Sequence, residues 1–471
     1  MSVAAMLSAC GGGDGGGSSA TTTTGPTPTP TPVSTACSLR ARQDWAAAQL
    51  REWYLFSETL PSALDPSPYG SVGEYVDALT ATARGQGRDR YFTYVTSIAE
   101  ENAYYSAGSD VSLGVRLATD STGRRLAVIE AFEGGPALAA GLDRGTEILA
   151  IGTSAGNLQT VASLADVGGL SAIANALGPD TSGTSRVLRV VDAGGVRNVT
   201  VTKRGFEVTP VSSRYGTRII DYAGHRIGYI NLRTFISTAD PALRSAFAAF
   251  GAQGVTEIVV DLRYNGGGLV SIAKLLGDLM GGARATTEVF DYETFRSEKA
   301  VNDTTRYFSP QPETVAPTRV AFIGTPNTAS ASELVINSFI PYLGRQMALI
   351  GGNTYGKPVG QIALDLSSCD DRLRVVAFST QNSARSGYYY SGLATVVPAT
   401  CQAYDDISRQ MGDPNETMTR QALDFIVGGS CSPIGMTASA RSSRVSVADE
   451  SRELLMSDRP RAAQRDVPGL F

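Results

Sequence analysis

The second half of this chain predicts an α/β layered core, preceded by a β-rich module and an N-terminal helical segment. Three observations carry that expectation. From 206 to about 429, short apolar strands alternate with stretches of helical period, the pattern of a sheet covered by helices. From about 106 to 205 the pattern is short strands broken by glycine turns, and from 37 to about 103 it is mostly helical. The chain has 471 residues, 42% of them apolar, which is enough for several domains with a substantial core.

The beginning reads as an address rather than as fold. Leu7-Ser8-Ala9-Cys10 resembles a bacterial lipobox, in which the cysteine carries lipid. Residues 2–6 are too short for a full signal core and no Lys or Arg precedes them, so 1–10 reads as a lipoprotein signal remnant. A glycine run, a Ser/Thr run and alternating Thr-Pro follow, a flexible then extended tether over 11–36. Such a tether suits a body held off a membrane. No apolar run reaches spanning length. With Cys10 lipidated, Cys37, Cys369, Cys401 and Cys431 remain, an even number compatible with two disulfides and an oxidising compartment. Three pairings are open. The cell envelope, facing the periplasm and more readily the outer membrane than the inner, is the expected location.

The expected parts are a helical cap over 37–103, a β-rich domain over 104–205, the α/β core over 206–435 and a tail over 436–471. In the cap, Trp45, Leu50, Trp53 and Leu55 mark one helix and 76–83 a second. The cluster Asp89-Arg90-Tyr91-Phe92-Thr93-Tyr94 is expected to dock the cap onto its neighbour. In the β-rich part, strands are expected at 126–129, 147–151, 186–190 and 196–201. In the core they are expected at 227–232, 257–262, 319–324 and 347–351. Asp240-Pro241 is expected to start a helix, since Asp caps free N–H groups and Pro is tolerated in the first turn. Further helices are expected at 269–280 and 330–343. An edge strand is expected at 438–448, and 451–471 is expected to be partly disordered.

Three segments could carry chemistry. Ala329-Ser330-Ala331-Ser332-Glu333-Leu334 opens a helix just after a strand. A serine there has free backbone N–H groups and the positive end of a helix dipole nearby, which favour developing negative charge. Thr354-Tyr355-Gly356-Lys357-Pro358-Val359-Gly360-Gln361 sets a lysine among Gly, Pro and Val. Burial there lowers its pKa and leaves a neutral amine able to accept a proton. Asp261-Leu262-Arg263-Tyr264-Asn265-Gly266-Gly267-Gly268 places a glycine run after a buried strand, where backbone can approach a ligand closely. Each alone is weak: the first is an ordinary helix start, the second an ordinary loop, the third an ordinary turn.

Together, in this order, they resemble the S41 family of C-terminal processing (tail-specific) peptidases. The resemblance implies a ClpP/crotonase-like α/β core and a serine endopeptidase with a Ser–Lys pair. Ser330 is then the nucleophile, Lys357 the general base, and Gln361 and Glu333 position them. The N–H groups of Ala331 and of Gly267 or Gly268 would form the oxyanion hole. Gly266 departs from the family, which commonly has Pro there. The stretch over 106–205 resembles PDZ domains: Leu113-Gly114-Val115 matches the loop that receives a peptide carboxylate, and "GGPALAAGLDRGTEILAI" the helix-turn-strand after it. Thr146 departs from the Asp often found there. The resemblances imply unfolded or C-terminal polypeptide segments of exported proteins as substrates, selected by the PDZ-like module.

Other classes are weaker. Net charge is −5 with no Lys/Arg block, so nucleic acid is not an expected partner. No metal or organic cofactor is implied. The chain has one histidine, His225, which leaves little room for a Ser-His-Asp arrangement. Gly152-Thr153-Ser154-Ala155-Gly156 fits the G-x-S-x-G of α/β-hydrolases, which would make an esterase of Ser154 and His225, but it falls in a turn after a strand of the β-rich part. The principal alternative is a catalytically silent PDZ-containing binding or scaffold lipoprotein of the same fold.

Overall fold

The computed structural model describes residues 35–435 and 452–471. Cys10, nearly all of the tether and the edge strand expected at 438–448 lie outside the described residues. The core is a six-stranded sheet, in the order Thr217–Tyr222, His225–Asn231, Glu257–Asp261, Arg319–Gly324, Met347–Gly351 and Thr400–Gln402. The first pair is antiparallel and the rest run parallel. Side chains alternate between two buried faces, as a period of two requires. Ile258, Val260, Val320, Phe322 and Leu349 pack under the helices Ala239–Ala252, Val270–Leu279 and Ala331–Leu343. Val259, Ala321, Ile323, Ala348 and Ile350 face the helix Thr417–Ile426 on the other side.

The expected strands and helices of the core form within a residue or two at their ends. One start differs: Thr238 stands at the cap of the helix Ala239–Ala252, and the Asp240 carboxylate instead pairs with Arg244 at 2.8 Å, one turn on.

A buried ion cluster holds the loop that follows the second parallel strand. Arg263, fully buried, pairs with Asp261 at 2.8 Å, Asp405 at 2.8 Å and Glu416 at 2.9 Å. Asp405 also accepts from Arg144 of the β-rich module. That module is a separate sheet built on Val115–Thr119, Leu126–Ala131, Glu147–Gly152, Ser185–Asp192 and Gly195–Thr202, with its own apolar cluster. A third, antiparallel sheet joins the helical cap to the core. In it Asp371–Gln381 pairs with Tyr94–Ser97 of the cap on one side and with Val359–Leu366 on the other. Cap residues Leu50, Tyr54, Val76 and Leu79 pack against Val359, Leu373 and Val375.

Two disulfides form, Cys37–Cys369 and Cys401–Cys431, one of the three pairings left open by the sequence. The first ties the start of the cap to the third sheet. The tail is ordered where described, against expectation: Leu454, Leu455, Val467, Leu470 and Phe471 are buried. Their apolar side chains find partners in the β-rich module and near the cap, contacts that no local pattern reveals. Among the described residues, no helix is long and apolar enough to cross a membrane.

Replacing Arg263 by Met leaves the carboxylates of Asp261 and Glu416 buried without their cation. The expected loss is about 3–5 kcal/mol of stability, read from the urea midpoint. A midpoint within error of the parent would mean that the cluster does not hold the loop.

Candidate active site

Ser330 caps the helix Ala331–Leu343 with φ 55° and ψ −115°, a region that L-residues avoid, at a cost on the order of 1–3 kcal/mol. A turn so strained needs surrounding contacts to hold it, and two are evident. The Ser330 N–H donates to Glu333 at 3.1 Å. The backbone of Gly267 (φ 123°) lies against Ser330, where a Cβ on Gly267 would sit 2.7 Å from the Ser330 Cβ and 3.2 Å from its Oγ. Only glycine fits there.

Glu333, fully buried, gathers four donors. Besides the Ser330 N–H, its carboxylate accepts from Thr354 Oγ1 at 2.6 Å, the Gly356 N–H at 2.7 Å and the Lys357 N–H at 2.8 Å. Burial raises its pKa, and those hydrogen bonds work against the rise. One carboxylate therefore binds the start of the helix Ala331–Leu343 to the loop that carries Lys357.

Lys357 is half-buried, and its Nζ donates to Gln361 Oε1 at 2.7 Å. Gln361 in turn donates from Nε2 to the Phe92 carbonyl. The Phe92 ring lies 5.1 Å from Nζ, and the Arg90 guanidinium donates to the Tyr355 and Gly356 carbonyls. Loss of solvation by burial lowers the Lys357 pKa to about 8. Asp466 nearby works against that drop and Arg465 adds to it. Asp466 is itself pushed up to about 6 by burial, with Lys357 opposing.

The structure thus brings together Ser330, Glu333, Lys357, Gln361 and Gly267. It does not join Ser330 Oγ to Lys357 Nζ by a hydrogen bond. Among the described residues, the N–H groups of Ala331 and Gly268 have no hydrogen-bond partner, whereas the Gly267 N–H donates to Asn265 Oδ1 at 2.9 Å. Gly268 lies against Phe235 rather than Ser330. Leu113, Gly114 and Val115 are buried where the strand Val115–Thr119 of the β-rich module begins. There the Leu113 and Gly114 carbonyls accept from Ala137 and Phe132, and the Val115 N–H donates to the Phe471 carbonyl.

Ser154 follows the strand Glu147–Gly152 of the β-rich module, whereas His225 begins the strand His225–Asn231 of the core sheet. Ser154 sits in an exposed turn bonded to Asn157, and His225 is exposed beside Glu257. They make no joint site. Phe92, Arg90, Arg465 and Asp466 were missed as site residues from sequence. The aromatic cluster at 89–94 was legible as a docking element, but nothing in its pattern says that it docks on Lys357. A cleft of about 840 Å³ opens beside the site, lined by Arg90, Thr325, Thr354, Tyr355, Tyr404 and Met456; neither Ser330 nor Lys357 lines it.

Replacing Glu333 by Gln sets an amide against backbone donors, so part of the four-bond fan is lost. The expected cost is about 2–3 kcal/mol of stability, read by urea unfolding. Equal stability would show that the carboxylate does not hold the two loops together.

Residues 226–386 match the family described as Peptidase family S41. A C-terminal processing peptidase of Tetradesmus obliquus is 27% identical over 280 residues, 56% of this chain and 54% of the relative. A carboxyl-terminal-processing protease of a Picosynechococcus strain is 30% identical over 249 residues, 51% of this chain and 53% of the relative. The chain spans about half the length of these curated relatives. A solved Bacteroides fragilis structure assigned to the S41 proteases superposes with a TM-score of 0.64 at 23% identity, covering 82% of this chain and 97% of that one, which shows the shared fold.

Proposed function

The chain carries a peptidase family S41 domain, and on that premise we propose that it is a serine endopeptidase acting on unfolded or C-terminal segments of exported proteins. The observation that carries the reading is the Glu333 carboxylate, which holds the Ser330 turn and the Lys357 loop side by side while burial lowers the lysine pKa to about 8. In the proposed mechanism neutral Lys357 takes the proton of Ser330, whose Oγ attacks a peptide carbonyl. The Ala331 N–H and a glycine N–H of Gly267 or Gly268 receive the oxyanion. The amine leaves with a proton from Lys357, and water activated by the same amine hydrolyses the acyl-enzyme. Gln361 and Glu333 act as positioning residues.

The β-rich module is read as PDZ-like: a peptide adds along Val115–Thr119 with its carboxylate at Leu113-Gly114-Val115. Two disulfides favour an oxidising compartment, which suits the cell envelope, and lipid on Cys10 remains part of this proposal. A second reading, a silent binding protein, is favoured by one observation: Ser330 and Lys357 share no hydrogen bond in this structure.

Digestion of an unfolded protein separates the two. The parent cleaves, while Ser330→Ala and Lys357→Ala each lose at least a hundredfold in rate. Undiminished cleavage by Ser330→Ala would remove the nucleophile assignment, and no cleavage by any form would leave the binding protein.

A base that must be neutral also sets a pH profile. Below a pKa of about 8, kcat/KM is expected to rise about tenfold per pH unit, and to level off above it. A flat profile between pH 6 and 9 would exclude Lys357 as the base.

A further inference from the structure

Residues 469–471 of the chain itself lie on the surface just described. The Phe471 N–H donates to the Val115 carbonyl at 2.9 Å, and the Val115 N–H donates to the Phe471 carbonyl oxygen at 3.2 Å. Two residues back, the Leu117 N–H donates to the Gly469 carbonyl at 2.9 Å, and Leu470 bridges Arg116 in antiparallel sense. This is strand addition to a sheet edge. The Phe471 side chain, 5% exposed, packs in the cluster of Leu113, Val115 and Leu117. Farther along the same strand, the Leu455 N–H donates to the Leu117 carbonyl at 2.9 Å, so the tail covers this edge twice over.

From that anchor the tail runs back to the catalytic loops. The Gly266 N–H donates to the Asp466 carbonyl at 2.8 Å, and a Cβ on Gly266 would lie 2.2 Å from the Arg465 carbonyl oxygen. Residue 266 must therefore lack a side chain and keep its N–H for the tail to lie there. Asp466 neighbours Lys357. The stretch Ala462–Asp466 is helical, with the Arg461 and Ala463 carbonyls already bonded to the Arg465 and Val467 N–H groups. A closed turn does not present an extended peptide bond to a nucleophile, so the segment sits at the site as a ligand rather than as a bond to be cut. Arg461 fastens it by ion pairs to Asp110 and Asp180 of the β-rich module.

We propose that residues 461–471 are a resident ligand of this chain, filling the carboxylate groove and the approach to Ser330. A polypeptide ending in a free carboxylate on an apolar or aromatic residue then gains access by displacing them. The consequence for cleavage rests on the peptidase reading; the occupancy itself does not. Covalent attachment gives the tail an effective concentration on the order of millimolar, so a competitor binds weakly until the tail is released.

The test uses the full chain in a Ser330→Ala background, with and without Phe471→Asp. The probe is a labelled heptapeptide of residues 465–471, offered with a free carboxylate or as its amide. Anisotropy is expected to show at least tenfold tighter binding to the Phe471→Asp chain, and at least tenfold weaker binding of the amide. Equal affinity for both chains, or binding by neither, overturns the proposal.

A second measurement needs no change in the tail. In the unaltered chain, millimolar heptapeptide is expected to speed amide exchange across 462–471 while Val115 and Leu117 stay protected. Tail protection unchanged at saturating peptide overturns the proposal even if Phe471→Asp fails to fold. With Ser330 intact, Phe471→Asp is expected to cleave an unfolded protein several-fold faster than the parent. Tighter peptide binding with no cleavage by either chain would uphold the occupancy and sink the peptidase reading alone.

Discussion

The Glu333 carboxylate is the contact on which the arrangement of this site depends. A buried carboxylate is costly to keep unless donors surround it, and here four donors come from the Ser330 turn and the Lys357 loop. The electrostatic demand of one group thus becomes a geometric constraint on Ser330 and Lys357. The strained dihedrals at Ser330 persist because that fan and the Gly267 backbone leave the turn little freedom. Beneath both lies the Arg263 cluster, which anchors the glycine loop to the sheet and, through Asp405 and Arg144, to the neighbouring module.

Lys357 is placed by elements distant in sequence. Its loop leads into Val359–Leu366, whose partner strand Asp371–Gln381 also pairs with the cap. Phe92 and Gln361 then surround the amine from two directions, one with a ring and one with an amide oxygen. The burial that lowers the lysine pKa therefore draws on the cap as well as on the loop. The cap, tied at its start by Cys37–Cys369, belongs to the environment of the site and is not an appendage.

The core was legible because its strands are apolar on both faces and bounded by turn residues, so that Arg319–Gly324 and Met347–Gly351 form where the pattern puts them. The helix at Asp240 was legible as well, although Asp240 pairs with Arg244 while Thr238 takes the cap position. Ser330, Glu333, Lys357 and Gln361 could be named because motif spacing survives without contacts. The tail could not be read. Its apolar residues, Leu454, Leu455, Met456, Val467, Leu470 and Phe471, are scattered without periodicity among small, charged and prolyl ones, so their burial depends wholly on what they meet.

By itself, then, the sequence determined the α/β alternation and the residue types at the site, since both follow from local order along the chain. It also determined that four cysteines stand within the folded body. Tertiary structure alone decided which cysteines pair, that Phe92 and Asp466 stand beside Lys357, and that residues 469–471 lie along Val115–Thr119. Apart from Cys401–Cys431, at a sequence separation of 30, these are contacts between segments more than about a hundred residues apart. No periodicity encodes them, because they are selected by the shape, charge and unpaired backbone groups of surfaces that exist only after the sheets have formed.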